Sequence, residues 1–159
     1  MKLSRRDFFN KLWQGTAAVA IPSFFSSFII ESCSNNSSNP VSPSSTLQTL
    51  QVTPQNNVIS LKIDSSSPLA SAGSAVRLQF SNGSLLVDRA DQNNFNALSA
   101  ICTHQACTIT GYDSGNQEFI CPCHGSVYNL SGGVVRGPAP RALPKYQTQF
   151  LNNQLDITL

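Results

Sequence analysis

Charge is scarce in this chain. Only 11% of its 159 residues are Asp, Glu, Lys or Arg, and the formal net charge is +2. That scarcity excludes a charged disordered tail and a coiled coil. Lys2, Arg5, Arg6 and Lys11 meet only Asp7 and Glu31 in residues 1–33, whereas residues 34–159 hold six cations and six anions. The body therefore lacks the basic excess that nucleic-acid binding needs, and no nucleic-acid partner is expected. Glycine and proline, nine of each, are too few for a collagen. After residue 46 there is no capped apolar stripe at helical spacing, so helices are not expected in the body. Histidine is nearly absent. His104 and His124 are the two, and each lies within three residues of a cysteine.

The first thirty-three residues read as an address. Met1–Lys11 is basic, and Leu12–Ile30 is an uncharged, largely apolar run of 19 residues. That is near the roughly 20 residues needed to cross a bilayer, although Gly15 and Pro22 weaken it as a permanent span. A basic start followed by an apolar run is an export signal, set apart from the fold. Ser4-Arg5-Arg6-Asp7-Phe8-Phe9 resembles the twin-arginine signal. The segment is expected to be an N-terminal apolar signal or anchor helix. Ile30-Glu31-Ser32-Cys33 roughly resembles a lipoprotein cleavage site, which makes Cys33 a candidate for lipidation. Residues 34–50, rich in Ser, Asn and Pro at their start, read as a flexible tether. The expectation is a membrane-attached protein whose body, residues 51–159, lies on the extracytoplasmic (periplasmic or outer) face.

That body reads as all-β. Ile59, Leu61 and Ile63 alternate with polar residues, as do Val76, Leu78 and Phe80. A period of two marks half-buried strands. Asn82-Gly83 predicts a two-residue hairpin turn with both residues at positive φ. Tyr146, Thr148 and Phe150 alternate, and Asn152-Asn153 then turns the chain into Leu155, Ile157 and Leu159. Short strands over about a hundred residues can close a small sandwich or barrel.

Between residues 101 and 140 the composition shifts to Cys, Gly, Pro and His. Such loops cannot bury a large apolar core and need a cross-link or a metal. They contain Cys102-Thr103-His104-Gln105-Ala106-Cys107 and Cys121-Pro122-Cys123-His124-Gly125-Ser126-Val127-Tyr128. Four readings of these residues stand side by side. Two disulfides would leave the placement of both histidines unexplained. A zinc-stabilised binding module would use two Cys and two His, but at unusual spacing and with two cysteines left over. A thiol redox site on Cys121-Pro122-Cys123 lacks the two-residue gap and the βαβ context. An iron–sulfur cluster with mixed ligands accounts for both residue types.

Cys-x-His-x-x-Cys followed by Cys-x-Cys-His-Gly-Ser-x-Tyr resembles the Rieske [2Fe–2S] family, in the branch of cytochrome bc- and bf-type quinol-oxidising complexes. The likeness is sharp over residues 101–140, about a quarter of the chain. It implies a Rieske-type antiparallel β sandwich with an inserted cluster-binding subdomain of two loops. It implies that Cys102 and Cys121 bind one iron and His104 and His124 the other. It also implies a disulfide between Cys107 and Cys123, which needs an oxidising compartment. The hydroxyls of Ser126 and Tyr128 would tune the centre by donating to sulfur. Gly137 and Pro138, in Gly137-Pro138-Ala139-Pro140, would cover it, beside a turn at Gly132-Gly133.

Exchanging two thiolates for neutral imidazoles makes the centre less negative, which raises its potential to roughly −150 to +300 mV, against about −400 mV for plant-type clusters. The upper part of that range is expected here. The ring N–H groups not used on iron can give up and regain a proton with the electron. The chain would be an electron carrier, with a cytochrome b-type subunit, quinol and a cytochrome c-type acceptor as partners, and with quinol–cytochrome c oxidoreductase activity belonging to the assembly. A Rieske subunit of another exported oxidoreductase, or a stand-alone carrier, is the alternative. Two residues depart from the pattern. Gln105 and Ala106 stand where bc-type members commonly have leucine and glycine. The first bears on docking, the second on loop geometry.

Overall fold

The computed structural model describes residues 44–159, and every regular element among them is a strand. The signal or anchor segment, Cys33 and residues 34–43 of the expected tether lie outside the described residues. The strands are β1 (Ser44–Thr46), β2 (Gln48–Gln51), β3 (Val58–Lys62), β4 (Ala75–Phe80), β5 (Gly83–Arg89) and β6 (Phe95–Ser99). They continue as β7 (Gly111–Asp113), β8 (Glu118–Ile120), β9 (Val127–Asn129), β10 (Val134–Arg136), β11 (Lys145–Leu151) and β12 (Gln154–Thr158). Ser44–Gln51 is thus paired strand, and the ordered body begins before residue 51.

Seven strands form one sheet in the order β2-β4-β5-β6-β11-β12-β3. All its pairs are antiparallel except β2 with β4. β11 turns the corner: Lys145 and Tyr146 pair with β6, and Gln147–Leu151 pair with β12. The sheet curls there, and its two halves face each other as in a sandwich. The alternating residues fill the space between them. Ile59, Val76, Leu78, Leu85, Val87, Leu155 and Ile157 are at most 1% exposed in one core. Each such aliphatic side chain contributes about 1.5–3 kcal/mol by leaving water.

β5 is buried on both faces. Leu85 and Val87 enter that first core, whereas Leu86 enters a second one. The second core joins the large sheet to a five-stranded sheet of order β1-β7-β8-β9-β10. Leu47, between β1 and β2, belongs to it, along with Ile109, Tyr112, Phe119 and Tyr128. Cys102 and Cys121 are also part of it. The apolar packing that joins the two sheets therefore also places the two thiols.

The Asn152-Asn153 turn is as expected, with φ of 51° and 60° and Leu151 opposite Gln154. The other hairpin is shifted by one residue. Phe80 pairs with Gly83, so Ser81-Asn82 makes the loop, and neither Asn82 nor Gly83 has positive φ. Glycine serves a different purpose there. A Cβ on Gly83 would lie 3.0 Å from Cζ of Phe80, whose ring covers it.

Candidate metal centre

Two six-residue loops are built alike. Cys102–Cys107 leaves and re-enters the sheet through the Ile101–Thr108 bridge, and Cys121–Ser126 joins β8 to β9. In the first, the N–H of Cys102 donates to the Cys107 carbonyl at 2.8 Å, and Ala106 N–H donates to the Cys102 carbonyl at 3.0 Å. In the second, Cys121 donates to Ser126 at 2.8 Å, and Gly125 to Cys121 at 3.1 Å. Each loop needs a left-handed fifth residue, Ala106 at φ 54° and Gly125 at φ 71°. The alanine noted in the sequence thus occupies a conformation that favours glycine.

A disulfide between Cys107 and Cys123 ties the loops together, with their Cα atoms 6.5 Å apart. Cys102 and Cys121 are free thiols, 2% and 1% exposed. His104 is partly exposed and His124 exposed. Their Nδ1 atoms face each other at 3.3 Å, with the rings perpendicular.

The four donors thus form two pairs, thiol with thiol and imidazole with imidazole. Two thiols on one side and two imidazoles on the other suit a pair of metals with unlike ligands. The surroundings of sulfur fit as well. Burial opposes ionisation of Cys102, but the hydroxyl of Tyr128, the backbone N–H of His104, the Cys121 thiol and the hydroxyl of Ser126 together hold its thiol below the ordinary value. Burial and the neighbouring Cys102 push Cys121 up, against backbone donors from Cys123 and His124. Backbone donors aimed at buried sulfur suit anionic sulfur, and a cationic centre is what allows both thiolates to coexist.

Tyr128 is fully buried, its hydroxyl 3.2 Å from Sγ of Cys102. The N–H of Thr103 donates to that hydroxyl at 3.2 Å, which leaves the phenol proton free for an acceptor. Thr103 Oγ1 is also 3.2 Å away but gives its own proton to the Arg141 carbonyl at 2.7 Å. A thiolate outcompetes that hydroxyl oxygen for the phenol proton, because hydrogen bonds to a charged acceptor are stronger. Burial, and then the Cys102 contact, push the Tyr128 phenol up.

The covering loop is anchored by a residue the sequence reading passed over. Gly137 and Pro138 are exposed, and the bond between them is cis. Ala139 is buried, and its N–H donates to Ser126 Oγ at 3.0 Å. Proline has no N–H, so Ala139 holds the one backbone donor in Pro138-Ala139-Pro140. Thr103, tying the first loop to Arg141, was likewise missed. Only its place between the ligand-type residues could have signalled it. Gly132, at φ 83°, lets Leu143 close in: a Cβ would lie 3.1 Å from the Leu143 carbonyl oxygen.

Paired thiols and imidazoles between cross-linked loops on a β sandwich define a class, the redox proteins with mixed-ligand iron–sulfur centres. The Rieske [2Fe-2S] domain model matches residues 60–147, and the chain belongs to that family. Membership implies one Rieske-type [2Fe–2S] cluster. The cytochrome b6-f complex iron-sulfur subunit of Prochlorococcus marinus (strain AS9601) is 51% identical over 59 residues, 37% of this chain and 33% of that protein. The same-named subunit of Gloeobacter violaceus is 50% identical over 56 residues, covering 35% of this chain and 29% of that protein. The chain thus matches about a third of the length of these relatives. The quaternary ammonium Rieske monooxygenase CntA shares the fold, with a TM-score of 0.51 at 13% identity over 62% of this chain and 31% of that one.

Proposed function

We propose that this chain is the Rieske subunit of a membrane complex of the cytochrome b6-f or bc type, taking electrons from quinol and passing them to a cytochrome c-type acceptor. The observation that carries the reading is the pairing of buried thiols behind exposed imidazoles. Cys102 and Cys121 would hold one iron through thiolates, and His104 and His124 the other through ring nitrogens. The cluster so held supplies one-electron chemistry at high potential.

The chain's own residues do the rest. Tyr128 and Ser126 direct hydroxyl protons to sulfur and favour the more negative state. The Cys107–Cys123 disulfide keeps the loops in register. Ala139 anchors a proline loop, whose Gly137 and Pro138 keep water from the thiolates. The Nε2 atoms of His104 and His124, on the ring edges away from the facing Nδ1 atoms, would carry the proton that leaves the quinol hydroxyl.

The twin-arginine segment and the apolar run behind it support export to the extracytoplasmic side and attachment to the membrane, through an anchor or through lipidated Cys33. The disulfide agrees with an oxidising compartment. Gln105, exposed beside His104, favours a second reading as a subunit of another exported oxidoreductase. Affinity purification of the full chain from its native membranes, with haem staining, tests the first. A b-type cytochrome in the eluate is expected. Recovery with a different oxidoreductase, or alone, would exclude it.

A further inference from the structure

The charges of the body are segregated although they balance. Residues 44–159 contain six cations and six anions. Two of those cations lie at the histidine end. Arg136 is exposed and donates from Nε to the carbonyl of Gly125, next to His124, at 3.3 Å. Arg141 is exposed and lines, with Ile101, His104, Gln105 and Pro144, an open groove of about 400 Å³. Lys145 follows Pro144 but pairs with Leu98 in β6, within reach of the Asp88 carboxylate, and is not counted with them.

Among the described residues no carboxylate lines this end. Asp113 and Glu118 pair beside the β7–β8 turn, whereas Gly111 and Ile120 are the pair nearest the loops. Asp88 and Asp91 lie around the start of β6, whose other end leads into Cys102. Asp156 pairs with Gln149, four residues along β11 from Lys145 and so about 13 Å away. Asp64 follows Ile63, which bonds to the Asn153 turn at the far end of β11.

Each imidazole therefore has an arginine near it and, among the described residues, no neutralising acid. The same groove is lined by Ile101, 39% exposed, and Pro144, with Gln105 where a bc-type member has leucine. Apolar side chains bordered by charged ones are compatible with a protein interface.

We infer that the redox protein docking at the histidine end presents an acidic face, steered there by Arg136 and Arg141. This rests on the electron-transfer reading and specifies the partner. Complementary charge mainly speeds encounter, and salt removes the benefit because the screening length falls from about 30 Å at 0.01 M to about 10 Å at 0.1 M.

The test uses the full-length holoprotein in a neutral detergent, reduced and mixed in a stopped-flow instrument with an acidic plastocyanin or a basic mitochondrial cytochrome c. With the acidic oxidant, the second-order rate should fall about tenfold between 10 and 300 mM salt. With the basic oxidant it should not fall. Arg136→Glu with Arg141→Glu should lower the acidic-oxidant rate about tenfold at 10 mM salt and little at 300 mM. Arg136→Lys with Arg141→Lys should retain it, separating charge from any disturbance of the loops.

Equal salt slopes for the two oxidants would overturn the inference. So would indifference of both rates to charge reversal while binding to anionic phosphatidylglycerol vesicles is lost, which would make the surface a membrane contact. The paramagnetic resonance signal and oxidation by uncharged benzoquinone separate the two levels. Loss of both in the wild type would remove the electron-transfer reading and this inference with it. Retention of both with flat salt slopes would remove the inference alone.

Discussion

Replacing Ala106 by glycine should stabilise the protein. Ala106 has φ 54°, in the left-handed region, where its Cβ costs roughly 1–2 kcal/mol. Glycine removes that cost but adds freedom to the unfolded chain, worth about 0.4–1 kcal/mol in the opposite direction. The net expected gain is on the order of 1 kcal/mol. Gly125 supplies the mirror experiment. It holds the equivalent place at φ 71°, and a Cβ there would meet nothing within 4 Å. Gly125→Ala is thus free of collision and should lose about 1 kcal/mol through backbone strain alone. Urea unfolding of the oxidised holoprotein, followed by far-ultraviolet circular dichroism, measures both. Opposite shifts of the two midpoints support the reasoning. If Ala106→Gly lowers the midpoint, the alanine is not strained, and the shared geometry of the loops is refuted.

Tyr128→Phe removes the hydroxyl 3.2 Å from Cys102 Sγ, and loss of about 1.4 kcal/mol of preference for the reduced state should lower the potential by about 60 mV. Ser126→Ala should shift it the same way, and protein-film voltammetry that finds neither shift would contradict the tuning role. Replacing Cys107 and Cys123 together by serine opens a crosslink between residues 16 apart and should cost about 3 kcal/mol. Calorimetry reads that loss, and an unchanged unfolding temperature would mean that the loops hold without the staple. Asp88 is buried, takes one hydrogen bond from Asn96 to Oδ2, and has no partner for Oδ1. Burial raises its pKa from 3.8 to about 7, against the opposing pull of Asn96 and Lys145. The folded state therefore binds the proton more tightly than the unfolded chain, so this group's effect is to lower stability as pH rises from about 4 to 7, by on the order of 4 kcal/mol in all. Asp88→Asn should flatten that slope in denaturation series from pH 4 to 8, and an unaltered slope would show that Asp88 does not cause it.

The legible parts of the chain were those where one physical cause dominates. Ile59, Leu61, Ile157 and their neighbours alternate because one sheet face is buried, and these strands stand where the pattern puts them. β5 breaks the alternation because both of its faces are covered, and for the same reason Asp88 went unnoticed in Leu85-Leu86-Val87-Asp88. β1 and β2 were invisible because Ser44-Ser45-Thr46 and Gln48-Thr49 read as tether. Their pairing comes from Leu47, whose burial depends on the partner sheet. β7 to β10 have three residues each, too few to show a period. In the centre, ligand-type residues announce themselves by chemistry. Ala139 and Thr103 act through an N–H and a short hydroxyl, which look like any others until the loops are folded.

Metal analysis of the full-length protein purified from its native source, with paramagnetic resonance of the reduced sample, tests the central claim most directly. Two irons and two acid-labile sulfides per chain are expected, with a resonance that appears on reduction and is lost in Cys102→Ser. One zinc per chain, no sulfide and no signal would contradict it.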